Sequence, residues 1–223
     1  MGQWIDLDAA DSHRLKAYLA EPSGPVRGSL VVIQEIFGVN RHIQNVADDY
    51  AQQGFVALAP ALFDRIERGV DYDYGSESIA KGRDLSIKIM PDGGLTDVAA
   101  ALEWTAQNAP GKRGVIGYCM GGTLAWLAAT RLHCAAVVCY YGGGIARNAH
   151  ERPRCPVIFH FGERDSGIPL GDVKLIEQAH PDLSVFLYPA GHGFNCDFRA
   201  SFDAESARLA RLRSIDFLRK YLD

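Results

Sequence analysis

A cysteine stands between two glycines where a strand-like run of residues gives way to a helix-like one. Gly117 lies two residues before Cys119, and Gly121 lies two residues after it. Glycines at these positions let a strand turn sharply into a helix and leave the intervening side chain exposed. A helix that begins there also favours the thiolate, the nucleophilic form of cysteine. The spacing predicts a nucleophile elbow, although taken alone it also fits a turn with an unreactive thiol.

A base and an acid follow this cysteine in the chain order that such an elbow requires. His192 stands between two glycines just after the strand-like run 184–188, and Asp165 follows the run 156–160. A histidine in a flexible loop can reach the thiol as a general base, and a carboxylate can orient the imidazole. We predict Asp165 in that role because it is a short acid in a loop, and Glu163 is the alternative.

An early segment is predicted to complete an oxyanion hole. Proteins with a nucleophile elbow take one donor from the residue after the nucleophile and another from a loop after an early strand. The backbone N–H groups of Met120 and Ile36 are therefore the predicted donors. The neighbouring Glu35 is hard to explain by packing, because an unpaired buried carboxylate is costly. Its alternative interpretation is an ion pair with an arginine.

Two other histidines and three other cysteines are expected to be structural. His42 falls within a predicted helix and His160 at the end of a predicted strand. Cys134, Cys139 and Cys155 lie in or beside apolar runs, where free cysteine usually acts as a small buried hydrophobe. The total of five cysteines is odd and predicts reduced thiols. No spacing matches a zinc motif, so no metal is expected.

The composition predicts one globular domain that spans residues 1–223. Hydrophobic residues make up 48% of the chain and charged residues 22%, with a net charge of -4. Because no stretch is polybasic, nucleic acid and anionic lipid are unlikely partners by composition. No apolar run reaches the roughly 18 residues of a membrane span, and no targeting segment is visible, which predicts a cytoplasmic protein. We expect a monomer or a small homo-oligomer.

Short β-rich runs alternate with longer runs of helical periodicity, which is the pattern of a mostly parallel sheet with helices on both faces. The predicted strands are 29–34, 55–59, 113–117, 135–140, 156–160 and 184–188. The predicted helices are 41–53, with Asn40 as N-cap, and 96–108, 120–131, 170–179 and 203–221. Together with the elbow, this order predicts the α/β-hydrolase fold.

The stretch 64–94 differs from the rest because its apolar residues are sparse. It contains a predicted helix near 76–89. Long connections inside a compact domain are often functional, so the stretch is either a lid or rim over the site or a plain surface connection.

Four motifs resemble those of the dienelactone hydrolase family, and the resemblance spans nearly the whole chain. They are Gln34–Asn40, Gly117–Gly122, Tyr140–Gly142 and Ala190–His192. The resemblance implies a cysteine α/β-hydrolase that cleaves carboxymethylenebutenolide, a lactone from chlorocatechol breakdown, without a cofactor. It also implies that Cys119, Asp165 and His192 form the catalytic triad, and that Glu35 holds the resting thiol until substrate displaces it.

The chain departs from the family pattern at the arginines that bind the substrate carboxylate. Where the family has His-Ser-Phe-Ala-Arg, this chain has His-Gly-Phe-Asn-Cys196, and Arg199 is the candidate substitute. In the earlier segment Ile79 takes the place of the other arginine, with Lys81 and Arg83 nearby as stand-ins.

These observations predict an enzyme that opens a small lactone or ester through an acyl-thiolester on Cys119. The missing arginine leaves open a general carboxylesterase or thioesterase on the same triad. A third hypothesis, in which the protein is not an enzyme, is a redox-sensing or binding protein whose thiol is oxidised rather than acylated.

Overall fold

The computed structural model describes residues 2–223, in which eight strands form one sheet. The strands are β1 (Gln3–Asp8), β2 (Arg14–Ala20), β3 (Gly28–Ile33), β4 (Phe55–Pro60), β5 (Arg113–Tyr118), β6 (Ala136–Tyr140), β7 (Val157–Gly162) and β8 (Ser184–Tyr188). Their order across the sheet is β1-β2-β4-β3-β5-β6-β7-β8. β1 and β2 are antiparallel to their neighbours, and the other six strands are parallel to one another. The predicted fold class is confirmed.

Helices connect the parallel strands and cover the sheet. They are α1 (Arg41–Gln52), α2 (Ser76–Ile89), α3 (Asp92–Asn108), α4 (Met120–Arg131), α5 (Leu170–Ala179) and α6 (Ala204–Leu222). Every residue of β3, β4, β6 and β7 is buried, as a sheet covered on both faces requires. Asn40 caps α1 as predicted, because its side chain accepts a hydrogen bond from the N–H of Ile43. α3 begins four residues earlier than predicted.

The hairpin of β1 and β2 is absent from the strand predictions. Charged residues interrupt its apolar ones, and most of β1 is exposed or half-buried. An edge strand with one face in solvent lacks the continuous apolar run that marks a strand covered on both faces. The hairpin lies at the far edge of the sheet from β8.

The parallel strands place the candidate chemistry at one edge of the sheet. The segment with Glu35 and Ile36 follows β3, and Cys119 follows β5. Asp165 and His192 follow β7 and β8. Because parallel strands end at the same edge, four segments far apart in sequence converge there.

Among residues 2–223, none of the helices combines the length and the apolar character that crossing a bilayer requires.

Candidate active site

Cys119 occupies a strained turn between β5 and α4. Its backbone has φ 55° and ψ -116°, a conformation that residues other than glycine rarely adopt. The turn is so tight that a Cβ on Gly117 would lie 1.8 Å from the carbonyl oxygen of Gly121. Glycine at position 117 is thus a steric requirement of the elbow.

Cys119, His192 and Asp165 form a chain of hydrogen bonds in the predicted order. Nε2 of His192 lies 3.1 Å from Sγ of Cys119, and Nδ1 lies 2.7 Å from Oδ2 of Asp165. The other oxygen of Asp165 accepts a hydrogen bond of 2.8 Å from the N–H of Gly167. The Asp165 side chain is fully buried, whereas the alternative acid Glu163 is exposed. The structure therefore brings the three predicted side chains together and places Glu163 outside this chain of hydrogen bonds.

The surroundings of His192 favour its charged form. Burial opposes protonation, but the Cys119 thiolate and the hydrogen bonds with Asp165 and Cys119 outweigh it and raise the pKa of His192 to about 10. The ring of Tyr141 packs against the imidazole with 5.1 Å between centroids. The imidazole therefore keeps its proton to higher pH than an ordinary histidine does.

The predicted oxyanion donors both line the cavity in front of the thiol. Within residues 2–223, the N–H groups of Ile36 and Met120 donate to no protein acceptor. α2 packs tightly on this loop, since a Cβ on Gly82 would lie 2.0 Å from the carbonyl oxygen of Ile36. Two free donors beside one sulfur are the arrangement that stabilises an oxyanion.

Glu35 is bound to an arginine and not to the thiol. Nη1 of Arg199 lies 3.3 Å from Oε1 of Glu35, while the bond from Cys119 goes to His192. Glu35 is 1% exposed. The guanidinium of Arg199 also lies over the rings of Phe37 and Tyr74, at 5.6 and 6.0 Å from their centroids. The sequence left open that Glu35 forms an ion pair with an arginine, and the structure contains that ion pair.

The cavity above Cys119 has a volume of about 620 Å³ and is rich in arginine. α2 forms one wall through Ile79, Arg83 and Ile87, so the stretch 64–94 contributes part of the lining. Arg199 lines the cavity as well.

Lys81 is not among the residues that line the cavity. Its Nζ lies 2.7 Å from Oε1 of Glu77 on the same helix, and its side chain is 57% exposed. The two residues are four apart, which lets them pair on the solvent face of α2. The assignment of Lys81 to substrate binding is therefore corrected: this side chain faces solvent.

Sequence reasoning missed Arg147, which also lines the cavity. It follows the glycine run after β6 and has no hydrogen bond or ion pair with residues 2–223. Its position after a strand that adjoins β5 is the signal that was available, because loops at that edge of the sheet surround the elbow.

His160 lies apart from the elbow, and so do the three cysteines Cys134, Cys139 and Cys155. Both ring nitrogens of His160 are hydrogen-bonded, to Tyr188 at 2.8 Å and to Ser214 at 3.0 Å. Burial lowers the pKa of His160 to about 3, so the ring is neutral. Cys139 is buried in β6, and the sulfurs of Cys134 and Cys155 lie 3.7 Å apart.

The parallel sheet and the turn from β5 through Cys119 into α4 define an α/β-hydrolase. The sequence model of the dienelactone hydrolase family matches residues 15–222. The chain belongs to the dienelactone hydrolase family and is a hydrolase of ester or lactone bonds.

Several relatives match over most of their length. The chain is 32% identical to the carboxymethylenebutenolidase of Pseudomonas putida, over 96% of this chain and 94% of the relative. It is 37% identical to a protein of Synechocystis assigned as a carboxymethylenebutenolidase, over 87% of each chain. A crystal structure of a protein from Klebsiella pneumoniae, assigned as a dienelactone hydrolase, superimposes with a TM-score of 0.85 at 27% identity and covers 99% of this chain and 100% of that chain.

Proposed function

We propose that this hydrolase opens small lactones or esters that carry a carboxylate, with Cys119 as the nucleophile. The observation that supports the proposal most directly is the chain of hydrogen bonds from Cys119 through His192 to Asp165 beside the cavity. No cofactor takes part in the proposed reaction, because the thiolate, the imidazole and water supply all the groups that hydrolysis needs.

In the first half of the reaction, the Cys119 thiolate attacks the carbonyl carbon. A C–S bond forms, and the carbonyl π electrons move to oxygen, where the N–H groups of Ile36 and Met120 stabilise the charge. When the tetrahedral intermediate collapses, the C–O bond of the ester breaks. The leaving oxygen takes a proton from Nε2 of His192, which leaves a thiolester and a neutral imidazole.

In the second half, His192 acts as the base. Nε2 takes a proton from water while the hydroxyl oxygen attacks the thiolester carbon, and the C–S bond then breaks to restore the thiolate. Acylation has removed the thiolate charge that raises the pKa of His192, so the imidazole is readily neutral at this stage. Asp165 keeps Nδ1 protonated and Nε2 directed at the reacting atoms.

The charges around the cavity support an anionic substrate. Arg83 and Arg147 line it and have no acidic partner within residues 2–223. Arg199 lines it too, with its guanidinium already placed by Glu35 and two aromatic rings. Among the described residues that line it, Asp165 is the only acid, and it is bound to His192. Guanidinium groups bind carboxylates through charge-assisted hydrogen bonds, so a carboxylated lactone matches the cavity.

The role of Glu35 in this proposal is to position Arg199. A buried carboxylate that accepts from a guanidinium fixes that group in place. Resemblance to the family assigns Glu35 to the resting thiol instead. In the resting arrangement proposed here, Cys119 is bound to His192, and Arg199 is bound to Glu35.

The test combines a variant with a covalent probe. Cys119→Ala should abolish turnover of carboxylated lactones and of neutral p-nitrophenyl esters, and iodoacetamide should inactivate the wild-type protein by alkylating that one site. Cys134→Ala is the matched control, because this thiol lies away from the elbow, and it should keep both the activity and the inactivation. Full activity in Cys119→Ala would overturn the proposal.

The same assays distinguish the two alternatives. Equal efficiency on charged and neutral esters would indicate a general carboxylesterase or thioesterase on the same side chains. Reversible sulfenate at Cys119 without turnover of any ester would indicate a redox sensor.

A further inference from the structure

A second group of potential ligands lies behind Arg199, where Glu35, His42 and Cys196 come together. One carboxylate oxygen, one ring nitrogen and the sulfur lie within 4.8 Å of one another. The three residues are 1%, 4% and 0% exposed. They come from the loop after β3, from α1 and from the segment after His192, so no local spacing in the sequence reveals them.

Two of the three side chains carry a buried polar atom with no partner. Oε2 of Glu35 and Nε2 of His42 make no hydrogen bond within residues 2–223. Buried polar atoms in native proteins are nearly always paired with protein, water or an ion. Two residues of this cluster therefore each carry an atom that is available to bind water or an ion.

His42 is oriented as a metal-binding histidine is. Its Nδ1 lies 3.2 Å from Oδ1 of Asp197. When Nδ1–H donates to this carboxylate, Nε2 presents a lone pair to the cluster. Histidines that bind metals usually donate their other ring N–H to a carboxylate or carbonyl in this way.

The charges of the cluster fit a divalent cation. A divalent ion and the guanidinium of Arg199 together carry three positive charges. The carboxylates of Glu35 and Asp197 and a thiolate at Cys196 carry three negative charges, and His42 is neutral when it binds a metal. Buried charges persist when they are paired in this manner.

One residue of the cluster and its hydrogen-bond partner border a second cavity. His42 and Asp197 line this cavity of about 270 Å³. Arg199 lines the active-site cavity.

We propose that Oε2 of Glu35, Nε2 of His42 and Sγ of Cys196 bind one divalent transition-metal ion of the zinc type. Oxygen, nitrogen and sulfur donors together are typical ligands of Zn²⁺, whereas Mg²⁺ and Ca²⁺ prefer oxygen alone. Bond lengths of about 2.0–2.3 Å place tetrahedral ligands roughly 3.3–3.5 Å apart, so side-chain rotation must draw the three donors together. The site shares Glu35 with the proposed hydrolase site, but the proposed hydrolysis uses no metal.

The experiment uses Co²⁺ as a spectroscopic substitute for Zn²⁺. Protein freed of metal with a chelator is titrated with Co²⁺, and a sulfur-to-cobalt charge-transfer band should grow and saturate at one ion per chain. Addition of Zn²⁺ should remove the band. Cys196→Ser and His42→Gln should each lose it, and Asp197→Asn should bind about 10–100-fold more weakly because it only orients His42.

Control variants identify the sulfur that binds. Cys119→Ala removes the thiol of the proposed triad, and the double variant Cys134→Ala, Cys155→Ala removes the sulfur pair that lies 3.7 Å apart. Both should keep the band. Loss of the band in either control, or its survival in Cys196→Ser, would place the ion elsewhere and overturn the proposal.

A wild-type protein without the band would also overturn it and would leave water as the partner of the unpaired atoms. Circular dichroism and thermal unfolding of each variant show whether the fold is kept, and His42→Gln serves as the second variant if Cys196→Ser does not fold. Because the readout is metal binding rather than turnover, its failure is distinguishable from a failure of the proposed hydrolysis.

Discussion

Arg199 and Glu35 form a partly buried ion pair beside the active-site cavity, with 3.3 Å between Nη1 and Oε1. Glu35 is almost fully buried, and 18% of the Arg199 side chain is exposed. The pair joins the loop after β3 to the segment after His192, so it links the predicted oxyanion loop to the histidine loop. It also sets the position of a cation that lines the active-site cavity.

Removal of the arginine alone should destabilise the fold, because it leaves a carboxylate buried without a counter-charge. We expect Arg199→Gln to lower the free energy of unfolding by on the order of 3 kcal/mol. The double variant Glu35→Gln, Arg199→Gln should regain part of that loss. Urea unfolding at neutral pH with a chelator present measures both. Arg147→Gln, which removes an exposed arginine of the same cavity, should stay within about 0.5 kcal/mol of the wild type. Equal stability of Arg199→Gln and Arg147→Gln would contradict the role of the pair.

The pKa of His192 should depend on Cys119. Two of the causes that raise this pKa to about 10 are the thiolate charge and the hydrogen bond with Cys119. In Cys119→Ala both disappear, burial still favours the neutral ring, and the pKa should fall. We therefore expect the wild-type ring to keep its proton to higher pH than the ring of the variant. NMR titration of labelled histidines measures the difference.

His160 is the internal control for that titration. Its pKa of about 3 comes mainly from burial within the sheet, so it should stay neutral at neutral pH in both proteins. An unchanged pKa of His192 in Cys119→Ala would mean that no thiolate faces the imidazole, and the proposed ion pair would be wrong.

The elbow could be predicted from the sequence because its geometry depends on local residues. Gly117 and Gly121 indicate the tight turn directly, and the predicted parallel strands indicate where the following loops must meet. The order of Cys119, Asp165 and His192 then suffices to bring the three side chains to one edge. Contacts of this kind follow from topology, which the alternation of strands and helices encodes.

The arginine that pairs with Glu35 could not be predicted. The ion pair of Glu35 with Arg199 depends on how two loops pack, and neither loop carries a periodic signal. Lys81 is a different case, because helical periodicity was sufficient to exclude it. Ile79 and Arg83 are four residues apart and share one face of α2, so Lys81, midway between them in sequence, points to the opposite face.

Gly82 should control the geometry of the oxyanion loop. A Cβ at this position would lie 2.0 Å from the carbonyl oxygen of Ile36, so Gly82→Ala must move either α2 or that loop. A displacement of about 1 Å near the reacting atoms can cost about 10²-fold in rate. We therefore expect kcat to fall by about that factor, as measured by steady-state hydrolysis of a neutral ester.

Gly171→Ala is the matched control, since a Cβ there meets nothing within 4 Å and the residue lies in α5. It should leave kcat unchanged. If Gly82→Ala also left kcat unchanged, the contact of α2 with Ile36 would have no part in placing the oxyanion donor.

The unpaired arginines of the cavity should act on substrate binding rather than on chemistry. Arg83 and Arg147 each present a guanidinium without an acidic partner in residues 2–223, and a hydrogen bond to a charged group contributes about 1.5–3 kcal/mol. Because both side chains are exposed, we expect Arg83→Ala and Arg147→Ala each to raise KM for a carboxylated lactone by roughly tenfold, the low end of that range. kcat should not change, and KM for a neutral ester should not change.

Lys81→Ala is the control on the same helix, because its ammonium pairs with Glu77 away from the cavity. An equal rise in KM for charged and neutral substrates would show that the arginines shape the cavity without recognising a carboxylate.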